Sequence, residues 1–275
     1  MEHVQVVVFW TAFLLYAGAL VCFAYFLFSR REPQNRLGLT GAAAGWALET
    51  VTLVLRWAQA GHFPVVGAYE SLTTLSWAVV AVYLVLAWRT RVRAVGLYVT
   101  AAVLLFLAIA WSRYSPPERL VPALRSDIVA IHVALIFTAL AAFLVAGGAA
   151  LIYLAEDHAL KRRHIGSVLG RLPALRTLDQ LVGHAVLFGL PFLSMGIAAG
   201  VIRAEKFGVE HWWRDAVVAL AVIAWAIYAG FVYARLAAGW AGRRTAWLAI
   251  AGLVCLLAIR LVAVPYLSGF HVWGK

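Results

Sequence analysis

Uncharged apolar runs divide the chain at nearly regular intervals: 4–29, 37–48, 71–88, 94–112, 128–155, 180–202, 216–234 and 245–259. The second run continues past Glu49 to Leu55, and the eighth past Arg260 to about Leu267. Each then approaches the roughly 20 residues that a helix needs to cross the hydrocarbon of a bilayer. None alternates polar with apolar residues, which removes the closed barrel, the other spanning solution. The pattern predicts an all-α membrane protein with about eight transmembrane helices. Between the runs, 156–179 reads as a surface-lying cytoplasmic linker with a short helix ending at Pro173. The segment 112–127 reads as an extended loop, because Pro116, Pro117 and Pro122 disfavour helix.

Composition agrees. The chain of 275 residues is 64% hydrophobic and 13% charged, with a mean hydropathy of +0.89. A soluble core of that length cannot hide so much apolar surface. The N-terminal run reads as a first span and not as a cleaved leader, because Glu2 stands in place of a basic leading region and the run is too long. Cys22 and Cys255 each lie in an apolar run and form no Cys-x-x-Cys motif, so thiol redox chemistry and covalent haem attachment to this chain are excluded. With no convincing internal repeat and few polar residues at mid-membrane, a small-solute transporter is disfavoured.

The net charge of +11 is a topology signal and does not point to nucleic acid. Thirteen of the 23 Lys and Arg residues fall in four alternate loops, around Arg30, Arg89, Arg162 and Arg243. Seven fall on the opposite face, and Arg56, Arg235 and Arg260 lie within or at the ends of spans. The positive-inside rule then places both termini on the external side and the dense loops in the cytoplasm. The location expected is a bacterial-type cytoplasmic membrane, or its organellar equivalent, with lipid as the surrounding partner.

The same threading brings His62, His132, His211 and His271 together on the external face. His132 lies about one turn into the fifth span, and His271 follows the eighth. Between them in sequence comes Gly208-Val209-Glu210-His211-Trp212-Trp213-Arg214-Asp215. Most of the 12 tryptophans read as interfacial anchors. The adjacent pair beside His211 does not, since anchoring needs no pair. Neutral imidazoles beside aromatic, apolar surface suit a planar metal group such as haem, with Arg203 or Arg214 available to its carboxylates. His158 and His164 read as solvated loop residues. His184 is the one that would serve an inner site. Glu49 and Arg56 share a helical face but stand too far apart to touch. A helix-fixing ion pair in the bundle is favoured for them, with Arg260 as a partner for Glu49 or Glu70.

Several of these residues resemble one family. Arg56-Trp57-Ala58-Gln59-Ala60-Gly61-His62-Phe63-Pro64, then Tyr69-Glu70-Ser71-Leu72 and Leu75-Ser76-Trp77, is similar to the second-to-third-span signature of the cytochrome c assembly membrane proteins (CcsA/ResC/HemX-like). Ile131-His132-Val133, Leu178-Asp179 with Gly189 to Gly200, Trp225-Ala226-Ile227-Tyr228 and Gly269-Phe270-His271 follow in matching order. The resemblance implies one transmembrane domain over residues 1–275. It also implies haem b held at the external face for delivery to apocytochrome c, with His132 and His271 as iron ligands. Trp212, Trp213, Asp215, His211 and His62 would surround the haem, and a second assembly subunit with a large external domain would be the partner. No nucleic acid is expected.

The chain departs from the pattern in two places. Ala216-Val217-Val218 stands where the family's tryptophan-rich loop continues Pro-Lys-Glu, and Tyr233 or Arg235 lies near the position of a histidine late in the seventh span. These departures mark a divergent member. No catalytic residue is assigned. Alone, the chain is not read as an enzyme, although the resemblance leaves room for the membrane subunit of a haem lyase. The alternative reading is a membrane regulator of tetrapyrrole biosynthesis, recruiting a cytosolic enzyme through the basic segment 161–176.

Overall fold

The structure, a computed structural model, describes residues 2–29, 32–90, 95–116, 127–162 and 174–259. They form eight α-helices: α1 (Glu2–Ser29), α2 (Glu32–Ala60), α3 (Gly67–Thr90), α4 (Val95–Ser112), α5 (Asp127–Lys161), α6 (Leu175–Lys206), α7 (Ala216–Leu236) and α8 (Arg243–Ala258). Seven are long and apolar enough to cross a membrane, and the described part of α8 has 16 residues. The protein is therefore an all-α, multi-pass membrane protein. Helix is the outcome that lipid demands, because each backbone amide must find its partner within its own segment.

Successive helices run up and down, in two groups. In one, α1 packs on α2 and α4, and α3 packs on α4; in the other, α6 and α8 pack on α5, and α7 on α8. The contact of α3 with α5 joins the groups. At the centre is α5, whose residues 141–150 are all buried. Most of that stretch is Ala and Gly, so helices approach from several sides. Lipid offers no hydrophobic drive for helix association, so such close packing of small residues is what holds the bundle. Exposed Val7, Leu14, Val21, Val54, Val222 and Ile223 face outward into the surroundings, as they would into acyl chains.

Several helices extend beyond the apolar runs that announced them, α2, α3, α5 and α6 among them. Helix α5 continues beyond residue 155 to Lys161, where Asp157 and Lys161 pair one turn apart at 2.7 Å and carry the helix out of the apolar zone. Helix α6 begins at Leu175, so Asp179 is already helical. The short helix expected to end at Pro173, and most of the proline-rich loop, lie outside the described residues. So do Arg260 and His271.

Candidate functional site

A cavity of about 460 Å³ opens among the ends of α3, α5, α6, α7 and α8 that the charge distribution assigns to the outside. Its walls are mostly apolar, including Ile136, Phe137, Leu193 and Ile197 at its deeper level. The polar groups on it are few: His132, Arg203, Trp212 and Ser71. An apolar well with a few convergent polar groups is the usual form of a small-molecule site.

His132 is held at the α5/α6 interface. Its Nδ1 lies 2.7 Å from the carbonyl oxygen of Gly196. A carbonyl oxygen only accepts, so Nδ1 carries the hydrogen and donates it. In the neutral ring this leaves the lone pair on Nε2. Gly200, one turn further along α6, makes room for the ring: a Cβ there would sit 2.8 Å from His132 Cε1. The same antiparallel register places Ile136 on Gly196 and Phe143 on Gly189.

The tryptophan loop divides its residues between the cavity and the surface. His211 adopts the left-handed conformation (φ 56°) and starts a single 3₁₀ turn, Trp212–Arg214. This turn sets the two indoles edge to face, with centroids 5.8 Å apart. Trp212 joins the cavity wall, with its Nε1 donating to Glu205 Oε1 at 2.7 Å. Trp213 is 58% exposed and lies against the His211 ring. Asp215 caps α7, accepting from the Val217 amide at 2.8 Å. Of the residues singled out in the sequence, His132 and Trp212 therefore line the cavity. His211, Trp213 and Asp215 stand beside it without lining it. Arg203 lines it, next to Ala204 at the end of α6.

The wall from the first group of helices comes from the α2–α3 hairpin, where Val65, Gly67, Ala68 and Ser71 reach the cavity. Glycines with φ of 72° at both 61 and 67 fold α3 back along α2, a conformation other residues rarely adopt. The hairpin is tied internally. Glu70 accepts from Arg56 Nε at 2.7 Å and from the Val66 amide at 2.9 Å, and the Ser71 hydroxyl donates to the Val65 carbonyl at 2.8 Å. His62 lies in this hairpin, buried, with Nδ1 2.9 Å from the Phe63 carbonyl, and does not line the cavity. Arg56 thus finds its ion-pair partner in Glu70, both 3% exposed. Glu49 is bound instead by the hydroxyls of Tyr16 and Ser76. The sequence had named each of these charges without settling who pairs with whom.

At the opposite end of the bundle, Asp179 gathers three helices. It accepts from Arg235 at 2.9 and 3.1 Å, from the Gly242 amide at 2.7 Å and from the Thr245 hydroxyl at 3.3 Å. Near the position of the family histidine, then, Arg235 forms a clamp and Tyr233 is 71% exposed. His184 is exposed on α6. Among the described residues, no group of three or more His, Cys, Asp and Glu could hold a metal ion by itself.

Known proteins match along nearly the whole chain. The family profile described as "Cytochrome C assembly protein" covers residues 65–271, from the hairpin wall of the cavity onward. The chain is 33% identical to a "Cytochrome c biogenesis protein CcsA" of Synechococcus sp. (strain CC9311), over 94% of this chain and 96% of that protein. It is 32% identical to the protein so named of Synechococcus sp. (strain CC9605), over 88% and 89%. With the one of Guillardia theta it shares 29%, over 82% of each. The chain belongs to the cytochrome c assembly protein family.

Proposed function

We propose that this protein handles haem in cytochrome c assembly, holding it at the external end of the bundle for delivery to apocytochrome c. The observation that carries the reading is His132 on the cavity wall, with Nδ1–H engaged by the Gly196 carbonyl and the Nε2 lone pair left for a metal. Metal-ligating histidines commonly donate their other ring hydrogen to a carbonyl or carboxylate, which fixes the tautomer and the ring orientation. The residues present fit haem b as cargo. Phe137, Ile136, Leu193 and Ile197 offer apolar surface to a porphyrin, Trp212 an aromatic face, and Arg203 a guanidinium for its carboxylates. By the family resemblance, His271 supplies the second iron ligand.

Bound haem supplies the group that the client cytochrome receives. This chain's residues would bind, orient and shield it. The name shared by the relatives, cytochrome c biogenesis protein, supports the process. A second assembly subunit with a large external domain would present apocytochrome c, and the membrane would be the bacterial cytoplasmic membrane or its organellar equivalent.

The test is the absorption spectrum of the protein purified in detergent with haem supplied. A Soret band is expected, lost in the His132→Ala/His271→Ala double variant. A band that the double variant leaves intact would overturn the assignment of ligands. A colourless protein that captures a soluble enzyme of tetrapyrrole synthesis would overturn the reading altogether.

A further inference from the structure

We infer that Glu49 is a neutral carboxylic acid, a proton-binding site in the membrane interior between α1, α2 and α3. Glu49 is 1% exposed and lies eleven residues from the end of α2, about 16 Å at 1.5 Å per residue. Tyr16 Oη donates to its Oε2 at 2.6 Å, and Ser76 Oγ contacts its Oε1. Ser76 Oγ also lies 2.8 Å from the carbonyl oxygen of Thr73, one turn back along α3. A serine hydroxyl has one hydrogen, and a carbonyl oxygen can only accept. When that hydrogen goes to Thr73, the contact with Glu49 requires a hydrogen from the carboxyl group. A proton on Oε1 completes the chain from Glu49 through Ser76 to Thr73, while Tyr16 serves the other oxygen.

The surrounding charges agree. From α1 the titratable group at the carboxyl is Tyr16. On α2, Arg56 is two turns away and is engaged by Glu70 of α3. Helix α4 carries no acidic or basic residue, and its Tyr98 turns to Gly148 of α5. Among the described residues no Lys, Arg or His pairs with Glu49, and an ionised carboxylate in a low-dielectric interior is strongly disfavoured without such a partner. Taking up a proton removes the charge and keeps both hydrogen bonds. The site's ligand is therefore a proton, and the inference stands independently of the haem cavity.

Infrared spectroscopy of the full-length protein in bilayers at neutral pH tests it. The spectrum of the native protein minus that of Glu49→Gln should contain the C=O stretch of a protonated carboxyl group, shifted down in D₂O. A difference spectrum holding only carboxylate bands would refute the inference. Should E49Q fail to accumulate, Ser76→Ala decides. Loss of the hydroxyl partner should move the same protonated-acid band to higher frequency, and an unmoved spectrum would count against the site.

Discussion

His132 of α5 donates its Nδ1 hydrogen to the backbone carbonyl of Gly196 on α6, across 2.7 Å. The bond ties the one described histidine on the cavity wall to a neighbouring helix, and it decides which ring nitrogen is left for a metal. It also makes the wall's geometry depend on how closely α5 and α6 pack.

That bond can be probed chemically. His132→Gly should lose haem and regain it when imidazole is added, because the free ligand can refill the space and donate to Gly196. N-methylimidazole, which has no N–H, should restore the Soret band less well. Equal rescue by both would show that the carbonyl has no part in holding the ligand.

Gly200→Ala pushes a methyl group onto the His132 ring, 2.8 Å from Cε1 and 3.1 Å from Nδ1. A ring locked by its own hydrogen bond has little room to yield, so overpacking by about 1–3 kcal/mol is expected. Thermal unfolding in detergent should register that loss. The absorption spectrum should register a further one, with weaker or shifted haem ligation. A spectrum identical to the native one would mean that the ring need not sit against Gly200.

The two loop tryptophans should separate by position. Trp212 lines the cavity and Trp213 is largely exposed. Trp212→Ala is expected to speed haem dissociation several-fold, and Trp213→Ala to leave it near the native rate, as read by haem transfer to an excess of apomyoglobin. The reverse order would mean that the loop turns over when haem binds.

The Arg56–Glu70 pair should matter more in its breaking than in its presence. Both residues are 3% exposed, so Arg56→Met leaves a buried carboxylate without its cation, at a cost of about 3–5 kcal/mol. The double variant Arg56→Met/Glu70→Met should recover much of that loss. Glu70 also holds the Val66 amide, so full recovery is not expected. Thermal midpoints of the single and double variants make the comparison.

At the far end, Asp179→Asn weakens one cap shared by α6, α7 and α8. A charge-assisted hydrogen bond contributes about 1.5–3 kcal/mol, and a loss toward the lower end is expected because the pair is partly exposed. Protease susceptibility near residues 237–242 should rise with the loss of the Gly242 and Arg235 contacts. If it does not, the turn is held by its own backbone.

The candidate site was only half legible in the sequence. His132 and Trp212 could be singled out because histidine and paired tryptophan are unusual beside apolar spans. The role of Gly196 could not be read, since it acts through a carbonyl oxygen that every residue possesses. Asp215 looked like part of the site, yet here it caps a helix, a use open to any aspartate before a span. Arg56 and Glu49 share a face of α2, which made them candidates for one ion-pair network. Across the hairpin, however, Glu70 meets Arg56, while Glu49 faces the two hydroxyls.

The linear chain alone determined the helical spans, their number and their alternation. Lipid solvates neither charges nor open amides, so apolar length and loop charge suffice to specify them. Which faces meet, which indole of the pair turns inward, and which ring nitrogen keeps its lone pair were decided only in three dimensions. Those outcomes depend on contacts between helices some sixty residues apart in sequence, such as residues 132 and 196, and on two left-handed glycines that fold one hairpin back. No local periodicity records either.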